Sequence, residues 1–187
     1  MSIIAVFATN KIKGGDVAIA ATALSVHLMV RMGVELFAGK VLSNTNETKK
    51  LAVVIAGIFL ISIAFIGFSF TRSTAPFFLF YALAGVGLGI AAPLKNSLFA
   101  THLDKNREAM EWGIYDALTF MGMAASSAIG GVIAKTYGFQ ILFLVAAVVN
   151  LGGILPYYLY AKRRLDKLIH KDKDQMIIEN LNELEEA

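Results

Sequence analysis

Long apolar blocks alternate with short polar stretches along most of this chain. A helix crossing about 30 Å of hydrocarbon needs about 20 residues, so an uninterrupted apolar block of that length predicts a membrane span. Five blocks meet the requirement: residues 17–42, 51–70, 77–101, 110–134 and 138–161. Residues 2–9, SIIAVFAT, are equally apolar but too few to cross, and they read as the tail end of a helix whose beginning is missing. The turn at residues 10–16, NKIKGGD, has paired glycines without phosphate-loop spacing and reads as a plain loop. The pattern predicts an all-α membrane domain over residues 1–164, with five complete helices and an N-terminal stub, followed by a tail over residues 165–187.

The blocks differ in what interrupts them. Within residues 17–42, His27, Arg31 and Glu35 recur at i, i+4 and i+8, which at about 100° per residue puts all three on one helix face. An ionised side chain at the bilayer centre costs at least ~2.5 kcal/mol on insertion scales, so this face is expected to look toward protein or water. Two readings stay open for Arg31 and Glu35: a compensated pair that seals a helix interface, or a pair used in gating, ligand binding or proton coupling. His27 reads either as a hydrogen-bonded interior histidine or as a proton-coupling group. Residues 51–70 hold no charge, and their all-round apolarity predicts a lipid-facing helix.

Residues 77–134 contain two apolar blocks seeded with small residues, among them Gly85, Gly87, Gly89, Gly113, Gly122, Gly130 and Gly131. In a soluble helix each glycine would cost about 1 kcal/mol relative to alanine. In a bilayer small residues let helix backbones approach closely, so the two blocks are expected to pair as a tightly packed hairpin. Lys95, close to the end of the first, is expected to snorkel into the headgroups, with Glu111 also interfacial. Asp116 lies deeper and forms, with Thr119, Met123 and Gly130, a stripe expected to pack against another helix; whether Asp116 also touches a substrate stays open. The last block has Asn150 as its one strongly polar interior residue and Pro156 near its end. Tyr157, Tyr158 and Tyr160 make an aromatic belt there, followed by Lys162, Arg163 and Arg164. In the tail Ile177, Leu181 and Leu184 fit a short amphipathic helix, solvated or resting on the membrane surface.

Composition agrees with the membrane class: 57% of residues are hydrophobic and 17% charged, against about 45–50% and about 25% in a soluble domain. There is no cysteine, hence no disulfide, thiolate metal site or cysteine nucleophile. Neither H-E-x-x-H nor G-x-S-x-G occurs, and the three histidines, His27, His102 and His170, lie far apart. No enzyme activity, metal or cofactor is therefore expected, and the net charge of +3 does not point to nucleic acid. Alternating the loops gives one side Lys49, Lys50, Lys105, Arg107 and the basic residues from Lys162 onward, and the other Lys11, Lys13, Arg72 and Lys135. The excess of positive charge predicts that the first side, and the C-terminus with it, is cytoplasmic, in a plasma (inner) membrane. The glycosylation pattern Asn46-Glu47-Thr48 would then be cytoplasmic and accidental.

Several short motifs, taken together, resemble one family. Gly113, Gly122, Ser126-Ser127 and Gly130-Gly131 are spaced like the fifth-helix glycine motif, and its eleventh-helix counterpart, in the major facilitator superfamily of secondary transporters. Ser126-Ser127 stands where Gly-Pro is usual. Gly85 and Gly87 are similar to the fourth-helix motif, with Tyr81 at the position of its arginine. GKVLSNTNETKK, beginning at Gly39, resembles the loop between the second and third helices, with Ser43 in place of the aspartate. Arg107 and Gly113 in the loop KNREAMEWGIYDAL, and the Tyr137-Gly138-Phe139 turn, have the same look. The missing arginine and aspartate favour the C-terminal half of the twelve-helix fold, from the end of helix seven through helix twelve.

The resemblance implies two six-helix halves rocking about a central site. Its expected partners are the lipid bilayer, an N-terminal six-helix half on the same or a separate chain, and a small-molecule substrate, with a proton as candidate coupling ion. It implies that blocks 51–70 and 138–161 lie outermost. The helices bearing Arg31, Glu35 and Asp116 would face the other half. His27, Arg31, Glu35 and Asp116 are the substrate or coupling candidates, and Gly39, Gly85, Gly87, Gly113, Gly122, Ser126, Gly130 and Gly131 the packing and gating candidates. The expected function is transport of a small solute by alternating access, as a fragment or split subunit. The alternative is a non-transporting scaffold or assembly factor that keeps the fold.

Overall fold

A computed structural model of the chain describes residues 3–163. They form α1 (Ile3–Lys11), α2 (Val17–Leu42), α3 (Glu47–Phe70), α4 (Thr74–Ala100), α5 (Glu108–Tyr137) and α6 (Phe139–Gly152), with helix resuming after Gly153 and running to Arg163. There is no strand among the described residues. Five helices are long and apolar enough to cross a membrane: α2 to α5, and Phe139–Arg163 taken as one span. The tail, with Arg164, His170 and the Ile177–Leu184 pattern, lies outside the described residues.

Local chemistry sets the ends. The Asp16 carboxylate accepts from the Ile19 N–H at 2.7 Å and starts α2, and the Asn46 side chain accepts from the Lys49 N–H at 3.1 Å and starts α3. Each satisfies one of the donors a helix N-terminus leaves unpaired. Asn46 therefore has a structural role, and α3 begins four residues before its apolar run. Pro93 does not end α4, which continues to Ala100. Gly138 adopts φ +86°, a left-handed value that lets α5 turn directly into α6. The break at Gly153 follows from Pro156, which has no N–H and whose ring crowds the carbonyl of Gly152.

α4 is the centre of the packing and lies against both α2 and α3, while α3 also lies against α6. Successive glycines of α4 serve different neighbours. A Cβ on Gly87 would sit 2.7 Å from the Gly57 carbonyl oxygen of α3, and a Cβ on Gly57 would sit 2.7 Å from that of Gly87. On the other flank, a Cβ on Gly85 would meet the His27 carbonyl oxygen at 2.7 Å and one on Gly89 the Arg31 carbonyl oxygen at 2.8 Å. Backbones in such contact gain dispersion from many atom pairs, an attraction that persists where the solvent is hydrocarbon.

An aromatic cluster closes one end of the bundle. Phe7 of α1 meets Phe143 edge-on at 4.9 Å between centroids and Phe77 at 6.1 Å, while Phe68 lies 5.8 Å from Phe77 and 5.3 Å from Phe143. The short N-terminal helix is thus built into the core, with Phe7 and Ala8 buried. At the other end Val54, Ala91 and Leu94 form a smaller core flanked by Tyr157.

Several expectations need correction. Residues 77–134 do not pack as a hairpin: α4 meets α5 mainly at their connecting end, through Phe99 against Trp112 and Tyr115, and α5 leans instead on α6 and α1. Connection by a short loop does not decide pairing when α4 has two better-fitting glycine-matched neighbours. Nor is α3 lipid-facing all round. Its Val54, Gly57, Ile61, Ser62, Ala64 and Phe68 are buried, while Phe59, Ile66 and Phe70 are exposed. Asn150 of α6 donates to the Ile58 carbonyl at 2.9 Å and to Ser62 Oγ at 2.8 Å, and so pins the last helix to α3.

Candidate functional site

The predicted polar face of α2 divides in two. His27 is buried against α4, its ring stacked 4.7 Å from Tyr81, with Nδ1 2.9 Å from the Tyr81 carbonyl oxygen. A carbonyl can only accept, so Nδ1 carries a hydrogen. Arg31 and Glu35 lie one and two turns further on. Their side chains are 36% and 37% exposed, with Arg31 Nε 3.3 Å from Glu35 Oε2. This ion pair lies against a shallow cavity of about 360 Å³ lined otherwise by Leu28, Met32 and Leu36. It stands among large apolar side chains that are themselves exposed, including Met32, Leu36 and Phe37.

Tyr81 is the residue that sequence reasoning passed over. By sequence it is only a departure, a tyrosine where the resemblance leads one to expect an arginine. Its place one turn before Gly85 was the available signal, because the glycine that admits α2 brings His27 to the preceding turn of α4.

Asp116 takes no part in that cluster. It is exposed on α5, and among the described residues it makes no side-chain hydrogen bond or ion pair. Thr119 and Met123 of its stripe are exposed too, and Thr119 Oγ1 donates to the Tyr115 carbonyl of its own helix at 2.8 Å. Of the stripe only Gly130 is buried, near Ile3 and Leu142. The expected packing of this stripe on another helix is therefore absent within the described residues.

The small residues divide the same way. Gly85 and Gly87 stand at helix crossings, whereas Gly39, Gly113, Gly122 and Gly131 have nothing within 4 Å of an added Cβ. Ser126 is exposed and bonds back to the Met123 carbonyl of its own helix at 3.1 Å.

A second polar group, not anticipated, ties three helix ends together at the α4–α5 end of the bundle. Tyr160 donates to Glu47 Oε1 at 2.8 Å, and its hydroxyl lies 3.2 Å from His102 Nε2. Lys95 is not simply snorkelling there: its ammonium sits 5.4 Å above the Tyr115 ring. Cation–π contact of that kind is worth about 0.5–1 kcal/mol at an exposed site. Among the described residues no group of three or more His, Cys, Asp or Glu is placed to hold a metal ion.

The chain resembles known transport proteins. It is 27% identical over 140 residues to the benzoate transport protein of Acinetobacter baylyi, a match covering 73% of this chain and 29% of that protein. It is 23% identical over 137 residues to the proton-coupled antiporter flippase LtaA of Staphylococcus epidermidis, covering 70% of this chain and 34% of the relative. The chain thus spans about a third of the length of the relatives it matches. No solved structure matches it. The sequence profile of the Major Facilitator Superfamily matches residues 1–180, and with the all-α arrangement of five membrane-length helices this means that the chain belongs to the Major Facilitator Superfamily.

Proposed function

We propose that this chain supplies the C-terminal half of a major facilitator transporter and, with a six-helix N-terminal half, moves a small solute by alternating access. The observation that carries the reading is the open face of α2. Arg31 and Glu35 are more than a third exposed there on a membrane-length helix. Charges on such a helix are costly against lipid and are normally turned to a protein partner or a water-filled cavity. Asp116, exposed on α5, meets the same argument. A second half laid over α2 and α5 would cover these groups and bring the central cavity to them.

In this reading His27, Arg31, Glu35 and Asp116 act in substrate binding or coupling, and the uncovered Gly39, Gly113, Gly122, Ser126 and Gly131 serve helix contacts with the other half. The name of the benzoate transport protein points to an organic anion as the substrate class, and that of the proton-coupled antiporter to a proton as coupling ion. The protein resides in the plasma membrane with Ala187 cytoplasmic, which reporter fusions at Ala187 test directly.

The decisive experiment co-expresses the chain with any six-span polypeptide encoded immediately upstream. Uptake of labelled benzoate and a panel of small solutes into proteoliposomes is then measured with and without a proton gradient. Arg31→Gln, Glu35→Gln and Asp116→Asn are each expected to lower uptake on the order of ten-fold or more at unchanged protein level. Full uptake in all three variants would remove these residues from binding and coupling, no uptake by the assembled pair would favour a scaffold role, and absence of any six-span partner together with no transport would end the half-transporter reading.

A further inference from the structure

Three turns gather at one end of the bundle: residues 12–16 between α1 and α2, residues 71–73 between α3 and α4, and Gly138 between α5 and α6. The first two are joined by the Lys13 N–H donating to the Arg72 carbonyl at 2.9 Å. Together they border a cavity of about 570 Å³. Lys11, Lys13 and Arg72 line it, and no aspartate or glutamate does. These are three of the four cations that the sequence assigns to this end, brought by the fold from the end of α1 and two separate turns to one place. None of the three forms an ion pair among the described residues, and Asp16 is engaged in capping α2.

Three like charges around one cavity repel one another unless an anion sits among them. The remaining lining suits an anion with an apolar part. Phe7, Phe70 and Phe139 supply aromatic surface, while Tyr137 and Gln140 add polar groups that make no side-chain hydrogen bond among the described residues. Cationic and hydrogen-bonding groups converging on a largely apolar concavity are the usual composition of a small-ligand site.

We propose that this cavity is a binding site for an amphipathic anion, a phosphate or carboxylate carrying an apolar group, held by Lys11, Lys13 and Arg72. The site is separate from the Arg31–Glu35 face and does not depend on the transport reading. Two sources offer this chemistry, an anionic phospholipid of the surrounding bilayer and a soluble organic anion, and two arms of one experiment distinguish them.

The full chain is purified in a neutral detergent. In the first arm, native mass spectrometry follows retention of phosphatidylglycerol against an equal amount of phosphatidylcholine. In the second, calorimetry compares hexyl phosphate with the neutral hexanol. The charged ligand is expected to bind in preference to its neutral or zwitterionic counterpart in at least one arm, which identifies the source, and binding should weaken as salt is raised. The triple variant Lys11→Gln/Lys13→Gln/Arg72→Gln should bind roughly ten-fold or more weakly, the combined effect of three partly exposed charge contacts. Should the triple variant aggregate, Lys11→Gln and Arg72→Gln singly, each at an exposed position, are expected to weaken binding about two- to five-fold. No preference for the charged ligand in either arm, or unchanged affinity in the variants, overturns the proposal.

Discussion

Gly87 on α4 and Gly122 on α5 occupy equivalent-looking places in two glycine-seeded apolar blocks, yet the fold treats them oppositely. Gly87 lies in contact with the Gly57 backbone of α3, and its neighbours Gly85 and Gly89 meet the backbone of α2, so α4 is held on two flanks. Gly122 meets nothing, nor do Gly113 and Gly131, and α5 buries only Gly130. Small residues permit close approach without stating when or by what it happens. On α4 the approaching helices are part of this chain; on α5, under the proposed function, they belong to another six-helix body.

That contrast can be broken deliberately. Truncating Phe68, which is fully buried among Phe7, Phe77, Tyr81 and Phe143, removes the centre of the aromatic cluster. Phe68→Ala should lower stability by about 2 to 4 kcal/mol, mostly the cavity share of a large-to-small change, because burial from lipid brings little water-transfer gain. Reversible unfolding in mixed detergent micelles measures it. Gly87→Ala should follow at about 1 to 3 kcal/mol, since the added methyl would meet both Ile61 Cγ1 and the Gly57 carbonyl oxygen at 2.7 Å, and the carbonyl, being backbone, cannot rotate away. A midpoint equal to the parent protein would contradict the packed α3–α4 crossing.

Asn150→Leu tests the pin between α6 and α3 and should cost roughly 0.6 to 1.7 kcal/mol, the range for hydrogen bonds between membrane helices. Ser62→Ala, which removes one of the two acceptors, should cost less. The smallest effect belongs to Gly122→Ala, expected to be neutral or to stabilise the isolated chain by up to about 1 kcal/mol through helix propensity. With a bound N-terminal half the same substitution should reduce pull-down of that half, whereas Gly87→Ala should act on the chain alone. Equal behaviour of the two variants in both assays would remove the distinction between covered and uncovered glycines.

The candidate site was legible in outline. The i, i+4, i+8 spacing was enough to put His27, Arg31 and Glu35 on one face, and the observed ion pair lies between two of them. It did not reveal that His27 would turn into α4 beside Tyr81 while its neighbours remained open, because that division depends on where Gly85 lets α4 cross α2. Asp116 and the Lys95–Tyr115 contact illustrate the same limit. An apolar block tells how far a helix reaches along its axis, while the direction of each side chain around that axis needs the neighbours.

What the sequence determined by itself was the class: an all-α chain, membrane-length helices at five blocks, and polar turns between them. Block length against bilayer thickness decides this, and each helix satisfies its own backbone hydrogen bonds. The tertiary structure alone decided which helices pair. Between apolar helices in an apolar solvent there is no broad hydrophobic drive to read from composition, and the outcome rests on whether particular small residues, such as Gly57 and Gly87, come opposite each other. The same holds for Arg72 and the Lys11–Lys13 pair, far apart along the chain and brought to one cavity at the end of the bundle where Phe7 of α1 meets Phe68 of α3.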